Sequence, residues 1–311
     1  MTPPAILRIT AGDYDRDDCP IRVAGAVDQP DGPVWLVDDE TSRRIPAQIA
    51  AGELWTVVDE VSRGTSRRYH LLRSDSTDHG VHLGQGDERY DLSIDGAPFT
   101  SYHFGTKDVR PYFYPLLGQT GIAMTRNYPM RSDVEGESTD HPHHRSLYVA
   151  FGDVNGVDVW AEPPNPNTGR IVHRSWNKIA AGPVVVSLDE SLTWVDGREQ
   201  PLLDETRQIR TYLTKTTRFL DLDLTFTPSR EAVLFGDTKE GGPLAVRVAS
   251  PLEGSRGGMI ENAYGARREA ETWGKRAPWV DYSGKIQGDQ VGIAIMDHPT
   301  SFRHPTWWHV R

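Results

Sequence analysis

The sequence predicts an all-β protein made of two antiparallel sandwiches, a small one over residues 1–88 and a larger one over 89–311. Three observations carry that prediction. Short apolar runs recur along the chain, with 29 Gly and 22 Pro dispersed between them rather than gathered in one tract, and such punctuation favours strands and turns over long helices. In Phe219–Thr227, Leu220, Leu222, Leu224 and Phe226 alternate with Asp221, Asp223 and Thr225, the two-residue period of a strand with one dry face. At 311 residues the chain is long enough for about two domains, each with its own core.

Taken in order, Val34-Trp35-Leu36-Val37, Leu54-Trp55-Thr56-Val57-Val58 and Tyr69-His70-Leu71-Leu72 are β-type runs separated by Asp, Gly, Pro and Ser turns. They read as a small, immunoglobulin-like sandwich. The polar stretch from Arg73 to Gly80 and the Gly84-Gln85-Gly86-Asp87 turn mark the boundary, after which aromatic strands begin at Tyr90 and Tyr112-Phe113-Tyr114. Further strands are expected over Val184–Leu188, Ser191–Val195, Ile209–Leu213, Leu244–Val248 and Val291–Met296, with an Asp196-Gly197 turn. No helical period separates them, so nothing could carry the crossovers of a parallel sheet.

The net charge of −10 and pI near 5.6 argue against nucleic acid, whose phosphates are bound by Lys and Arg. A small-molecule or oligosaccharide ligand fits better. No run approaches the roughly 20 apolar residues that span a bilayer, and Met1–Arg8 lacks the basic and apolar regions of a signal peptide. The expectation is therefore a soluble, cytoplasmic protein with no membrane partner. Cys19 is the only cysteine, sits among Asp17, Asp18 and Pro20, and reads as an incidental thiol.

Chemistry concentrates at His141-Pro142-His143-His144-Arg145, which holds three of the chain's eleven histidines and follows Glu135, Glu137 and Asp140. Imidazole changes charge near neutral pH and is the commonest metal ligand, and three readings follow. His141 and His143, two apart, could supply imidazoles from one side of an extended segment to a divalent metal, with His173, His298, Glu135 or Asp237 completing the set. His143 or His144 could instead act as a metal-free acid or base on a sugar. The plainest reading is a turn held by imidazole hydrogen bonds. His141-x-His143 and His173-x-x-x-Asn177 also resemble the two cupin motifs of a metal-dependent oxygenase. That match breaks where Leu147 or Tyr148 stands in place of the required Glu.

Asp237 and Glu240 flank Thr238-Lys239 and precede Gly241-Gly242; paired carboxylates with divergent pKa values can serve as acid and base, although an ordinary charged turn has the same composition. Lys239 and Arg145 are candidate substrate contacts beside them. Lys275 and Arg276 lie between Trp273 and Trp279 and precede Asp281, a mixture suited to packing and hydrogen-bonding a sugar ring. His298 follows the run Val291–Met296 and could face the same cleft. His304, Trp307, Trp308 and His309 are given supporting roles, and His70, His79, His82 and His103 are expected to be surface or packing residues.

As a set, Tyr112–Leu116, Asp140–Trp160, Phe235–Gly242, Trp273–Gly284 and Asp297-His298-Pro299 through His309-Val310-Arg311 resemble a bacterial family of unknown activity whose members carry the label methane oxygenase PmoA-like. The label does not imply methane oxygenation, which belongs to membrane-embedded machinery, whereas the mean hydropathy here is −0.54. Similar proteins continue beyond Arg311, so a further strand is expected there. The resemblance implies a place beside carbohydrate-degrading functions and a large domain similar to the galactose-mutarotase-like supersandwich, whose concave face would be the sugar site. The functional expectation is a hydrolase, lyase or epimerase working through His143, His144, Asp237 and Glu240, with or without a divalent ion. A non-catalytic sugar binder is the alternative.

Overall fold

The computed structural model describes residues 6–25, 30–74, 80–165 and 167–311. Six strands, β1 (Ile6–Thr10), β2 (Cys19–Val23), β3 (Gly32–Asp38), β4 (Arg44–Ala50), β5 (Glu53–Val58) and β6 (Ser66–Arg73), form one antiparallel sheet in the order β1-β6-β3-β4-β5-β2. Alternation decides its faces: Val34 and Leu36, then Ile45, Ala47 and Ile49, point into one core with Leu54, Val58 and Tyr69. Ala51 (φ 59°) and Gly52 (φ 73°) close the β4–β5 hairpin, both left-handed as a two-residue turn between twisted strands requires.

The continuous apolar run on β5 has a second cause. Trp55 and Val57 point away from the first core and pack with Val184, Val185 and Tyr212 of the larger sandwich. Polar groups fix the same junction. Gln48 Oε1 accepts from the Val184 and Val185 amides at 3.2 and 3.1 Å, and the Asp18 carboxylate accepts from the Lys215 and Thr216 amides. Gly182 has no room for a side chain, since a Cβ there would lie 2.5 Å from Gln48.

The larger part contains β7 (Val81–Gly86), β8 (Arg89–Ile94), β9 (Ala97–His103), β10 (Tyr112–Leu116), β11 (Leu147–Val149), β12 (Arg170–Ala181), β13 (Val185–Val195), β14 (Pro201–Tyr212), β15 (Asp221–Pro228) and β16 (Leu244–Val246). They make a six-stranded sheet, β16-β11-β10-β9-β8-β7, and a four-stranded sheet, β12-β13-β14-β15. Leu92, Phe99, Tyr102, Phe113 and Leu147 of the first pack on Val186, Leu188 and Ile209 of the second, which makes an antiparallel sandwich of the expected class. A third sheet, β17 (Met259–Asn262), β18 (Trp279–Ile286) and β19 (Asp289–Met296), flanks it, with a short helix α1 (Arg268–Thr272) between β17 and β18. Among the described residues no helix is long and apolar enough to cross a membrane.

The expected division at residue 88 falls inside the β7–β8 hairpin, whose pairing runs from Val81↔Ile94 to Gly86↔Arg89. Gly84-Gln85-Gly86 is strand rather than turn, and Glu88 (φ 49°) makes the reversal. Residues 81–88 therefore go with the second sheet; residues 75–79, including His79, lie outside the described residues. The alternating strand at Leu222 is β15, at the edge of its sheet, so its apolar residues are half-buried rather than fully enclosed.

Candidate functional site

On β10 and β11, Phe113 and Leu147 face the inter-sheet core, so their neighbours Tyr112 and Tyr148 face outward. These two are cross-strand partners and pack with Ala150 and Trp160. Register extends the row to His103 on β9, whose ring stacks on Tyr112 at 4.8 Å and 7°. This outer face of the six-stranded sheet is the floor on which the histidine-rich segment rests.

Two buried arginines hold that segment. Arg126 donates to the backbone carbonyls of Tyr128, Asp140 and His141 and reaches Asp140 Oδ1 at 2.6 Å. Arg110 donates to the carbonyls of His143 (3.1 Å), Trp160 (2.7 Å) and Ala161 (3.0 Å). Both are fully enclosed, and a planar fork with five donors is suited to gathering carbonyls from a chain lacking regular structure. The segment turns at His141 (φ 48°), where the His144 amide donates to the His141 carbonyl at 3.0 Å.

The three rings pack on one another. His141 and His144 stack at 4.8 Å, and His143 stands edge-on to His144 at 4.5 Å. His141 Nδ1 bonds Asp140 Oδ2 at 2.6 Å. Burial opposes ionisation of Asp140, but hydrogen bonds from His141, Ser138 and Arg126 with the charge of Arg247 hold its pKa well below the usual range. His144 lies deeper, between Tyr148 and Trp160, and its Nε2 has no hydrogen-bond partner among the described residues. Burial, then the neighbouring histidines and arginines, push its pKa down to about 2. His143 is also pushed down, by burial and then by Arg110 and His141, with Glu162 and Glu240 opposing. Both imidazoles are thus neutral bases at neutral pH.

Glu240 reaches this group electrostatically, acting on His143, Tyr148 and His309. Arg145 lies over the Tyr112 ring at 5.5 Å and is fixed by Glu162 at 3.0 and 3.2 Å and by Asp108 at 3.3 Å. Sequence reasoning missed Arg110, Arg126, Asp108 and Glu162, whereas His103 packs, as expected, on Tyr112. The missed residues come from separated loops and strands, and no local pattern marks them.

The other expected site residues go elsewhere. Asp237 is exposed and makes no side-chain hydrogen bond among the described residues, while the exposed Lys239 pairs with Glu240 at 3.3 Å. His298 is an exposed turn residue bonded to Thr300 at 2.8 Å. Arg276 ties down the C-terminal segment through the carbonyls of Pro305 and Arg303 and the Trp307 ring at 4.5 Å. Lys275 is exposed, its carbonyl accepting from Trp308, and Trp279 lies on β18. Asp281 faces Glu261 across β17; burial first, then Glu261, raises its pKa. None of these contacts joins them directly to the histidines: Asp237 and Lys239 lie on the loop between β15 and β16, where Lys239 meets the site only through Glu240, and His298, Lys275, Arg276, Trp279 and Asp281 belong to the third sheet and its loops.

His173 lies apart as well. Its Nδ1 bonds Glu190 Oε1 at 2.7 Å, and Glu190 also accepts from the Tyr102 hydroxyl. Arg207 donates to that hydroxyl at 2.9 Å and to Glu205 at 2.7 and 3.1 Å, and Glu205 accepts from Trp194 Nε1 at 2.7 Å. Tyr102, Glu190, Trp194, Glu205 and Arg207 are all buried. His141, His143 and His173 therefore do not form one ligand set, and among the described residues no three His, Cys, Asp or Glu side chains converge as a metal site. Asn177, expected in the second cupin motif, bonds Asp189 and Ser191 instead.

A model for a family of unknown function (DUF6807) matches residues 89–311, and the chain belongs to that family. No curated protein and no solved structure matches it.

Proposed function

We propose that this DUF6807 protein acts on a neutral saccharide by proton transfer on the outer face of the six-stranded sheet, with His143 as base, Glu240 as its acidic counterpart and His144 as a second neutral imidazole. One observation carries the reading: two imidazoles are held neutral beside a carboxylate, and one keeps a buried, unpartnered Nε2. A buried polar atom without a partner costs about 1–3 kcal/mol. Such a cost is common where a substrate supplies the missing partner.

Arg110 holds the His143 carbonyl, leaving the ring half-buried at the edge of the site. There it can take a proton from a substrate hydroxyl or an acidic C–H, and the imidazolium so formed can return it, its charge favoured by the Glu240 and Glu162 carboxylates. Hydrolysis, elimination and epimerisation all need that pair of transfers. The neutral substrate follows from the cations. Arg126, Arg145 and Arg247 each pair with a carboxylate, and Arg110 donates to three carbonyls, so none of these four guanidinium groups stands ready to neutralise a uronate. Arg145 then orients hydroxyls rather than binding an anion.

The test is turnover of a panel of neutral mono- and oligosaccharides, followed by NMR in D₂O for deuterium incorporation and by reducing-end assay. Turnover is expected, and His143→Ala should lower it about 10²- to 10⁴-fold. Binding without turnover would make the protein a sugar binder; neither turnover nor binding would end the proposal.

A further inference from the structure

The outer edges of the four sheets are not alike. β1 carries Arg8, β2 Pro20 and Arg22, β12 Arg174 and Lys178, and β15 Asp221 and Asp223. β16 and β17 have only three and four residues, and β7 has Val81 and Leu83 as its apolar side chains. Charge, proline and brevity keep an edge from pairing with a further strand. β19 lacks all three: Gln290–Met296 holds no charged residue and no proline. We propose that β19 is the surface through which two copies of this chain pair, antiparallel and about a two-fold axis at Ile293.

β19 bonds β18 along its whole length, from Trp279↔Met296 to Ile286↔Asp289, with no register shift. Its other side has no backbone partner among the described residues. Val291, Ile293 and Ile295 are half-buried, while Ala294 is exposed and Met296 is 70% exposed. The edge is therefore long, regular and apolar, which makes it a template for another strand. Charge selects a second copy as that strand. At a net charge of −10 two copies repel, and this uncharged edge lets their backbones meet without opposing carboxylates. With the axis at Ile293, Val291 stands opposite Ile295 of the second copy, Gly292 opposite Ala294, and Gln290 opposite Met296. Half-buried residues then meet half-buried ones and exposed residues meet exposed ones; a slip of one residue would set one row against the other. Asp297, just beyond the strand, is turned onto His304 at 2.9 Å. Both contacts of such a pair are the same, so the assembly closes as a dimer rather than growing into a fibre.

This inference does not rest on chemistry at the histidines. Sedimentation velocity of the full chain over roughly a hundredfold range of concentration should show a species of twice 34.8 kDa. Gln290→Lys combined with Met296→Lys sets like charges directly opposite at two symmetric places and should raise the dissociation constant about tenfold or more. Both positions are exposed, so the thermal melt of the dissociated chain should be unchanged. Gln290→Lys combined with Met296→Glu alters the same positions but opposes unlike charges, and should dimerise within about threefold of wild type. A chain that stays monomeric throughout would overturn the proposal. So would a dimer indifferent to the two lysines, which would place the contact elsewhere, or a Lys/Glu variant as weak as the Lys/Lys one, which would exclude this register.

Discussion

Between the two sheets, His173, Glu190, Tyr102, Arg207, Glu205 and Trp194 form a chain of hydrogen bonds in which each carboxylate accepts two or more donors. On the outer face of the six-stranded sheet, His141, His143, His144, Arg110, Arg126 and Glu240 are similar residue types, yet among the described residues His144 Nε2 has no partner and Glu240 accepts no hydrogen bond from the histidines. The inner cluster is saturated, as a buried ionic network must be to avoid an uncompensated charge. The outer one has its backbone pinned by arginines while the His143 ring stays half-buried and His144 Nε2 lies buried without a partner among the described residues. Saturation, rather than residue type, separates scaffold from candidate site.

The largest effect should come from the saturated cluster. Arg207→Met leaves Glu205 buried without its cation and should cost about 3–5 kcal/mol, seen as a lower denaturation midpoint; a near-neutral result would mean the network is wetter than its burial indicates. On the outer face, His143→Ala should abolish most turnover with little change in the melt, as the ring is only half-buried. A variant that unfolds would make the cluster scaffold too.

Acid should separate the clusters next. His143 and His144 have folded pKa values below the ordinary histidine value of about 6.5, so the unfolded chain binds protons that the folded chain does not. Their contribution to stability is complete above about pH 6.5. For His144 it is lost on acidification, at up to about 1.4 kcal/mol per pH unit until its folded pKa of about 2 is reached, while the half-exposed His143 changes in the same direction. Denaturation of wild-type and His144→Leu protein between pH 7 and 4 should show a shallower acid loss in the variant; equal slopes would place His144 in water. The smallest effect concerns β15. Leu222→Ala, on a half-buried edge strand, should cost about 1–2 kcal/mol, and Leu188→Ala, fully buried, about 2–5 kcal/mol by the same urea titration.

What the sequence made legible follows from these distinctions. Alternation identified β15, whose half-buried face carries its period openly, and short apolar runs marked parts of β13, β14, β16 and β19. The long β12 was missed, since irregular register between His173 and Ser175 and between Trp176 and Lys178 breaks the two-residue period. The histidine cluster was legible because four consecutive positions carry it. The acidic pair Asp237 and Glu240 was legible only in half, because Asp237 is exposed while Glu240, three residues on, is partly buried and acts on His143. No local pattern marks Arg110 and Arg126, and only the tertiary fold brings carbonyls from residues 128–161 around them.

The most direct measurement is a matched pair of thermal melts at pH 7.5, His144→Leu against His173→Leu. Removing an unpartnered buried nitrogen should leave stability equal or raised, whereas removing the donor to Glu190 should lower it by about 1–3 kcal/mol. Comparable losses in both variants would contradict the account, since His144 would then be as fully engaged in holding the fold as His173.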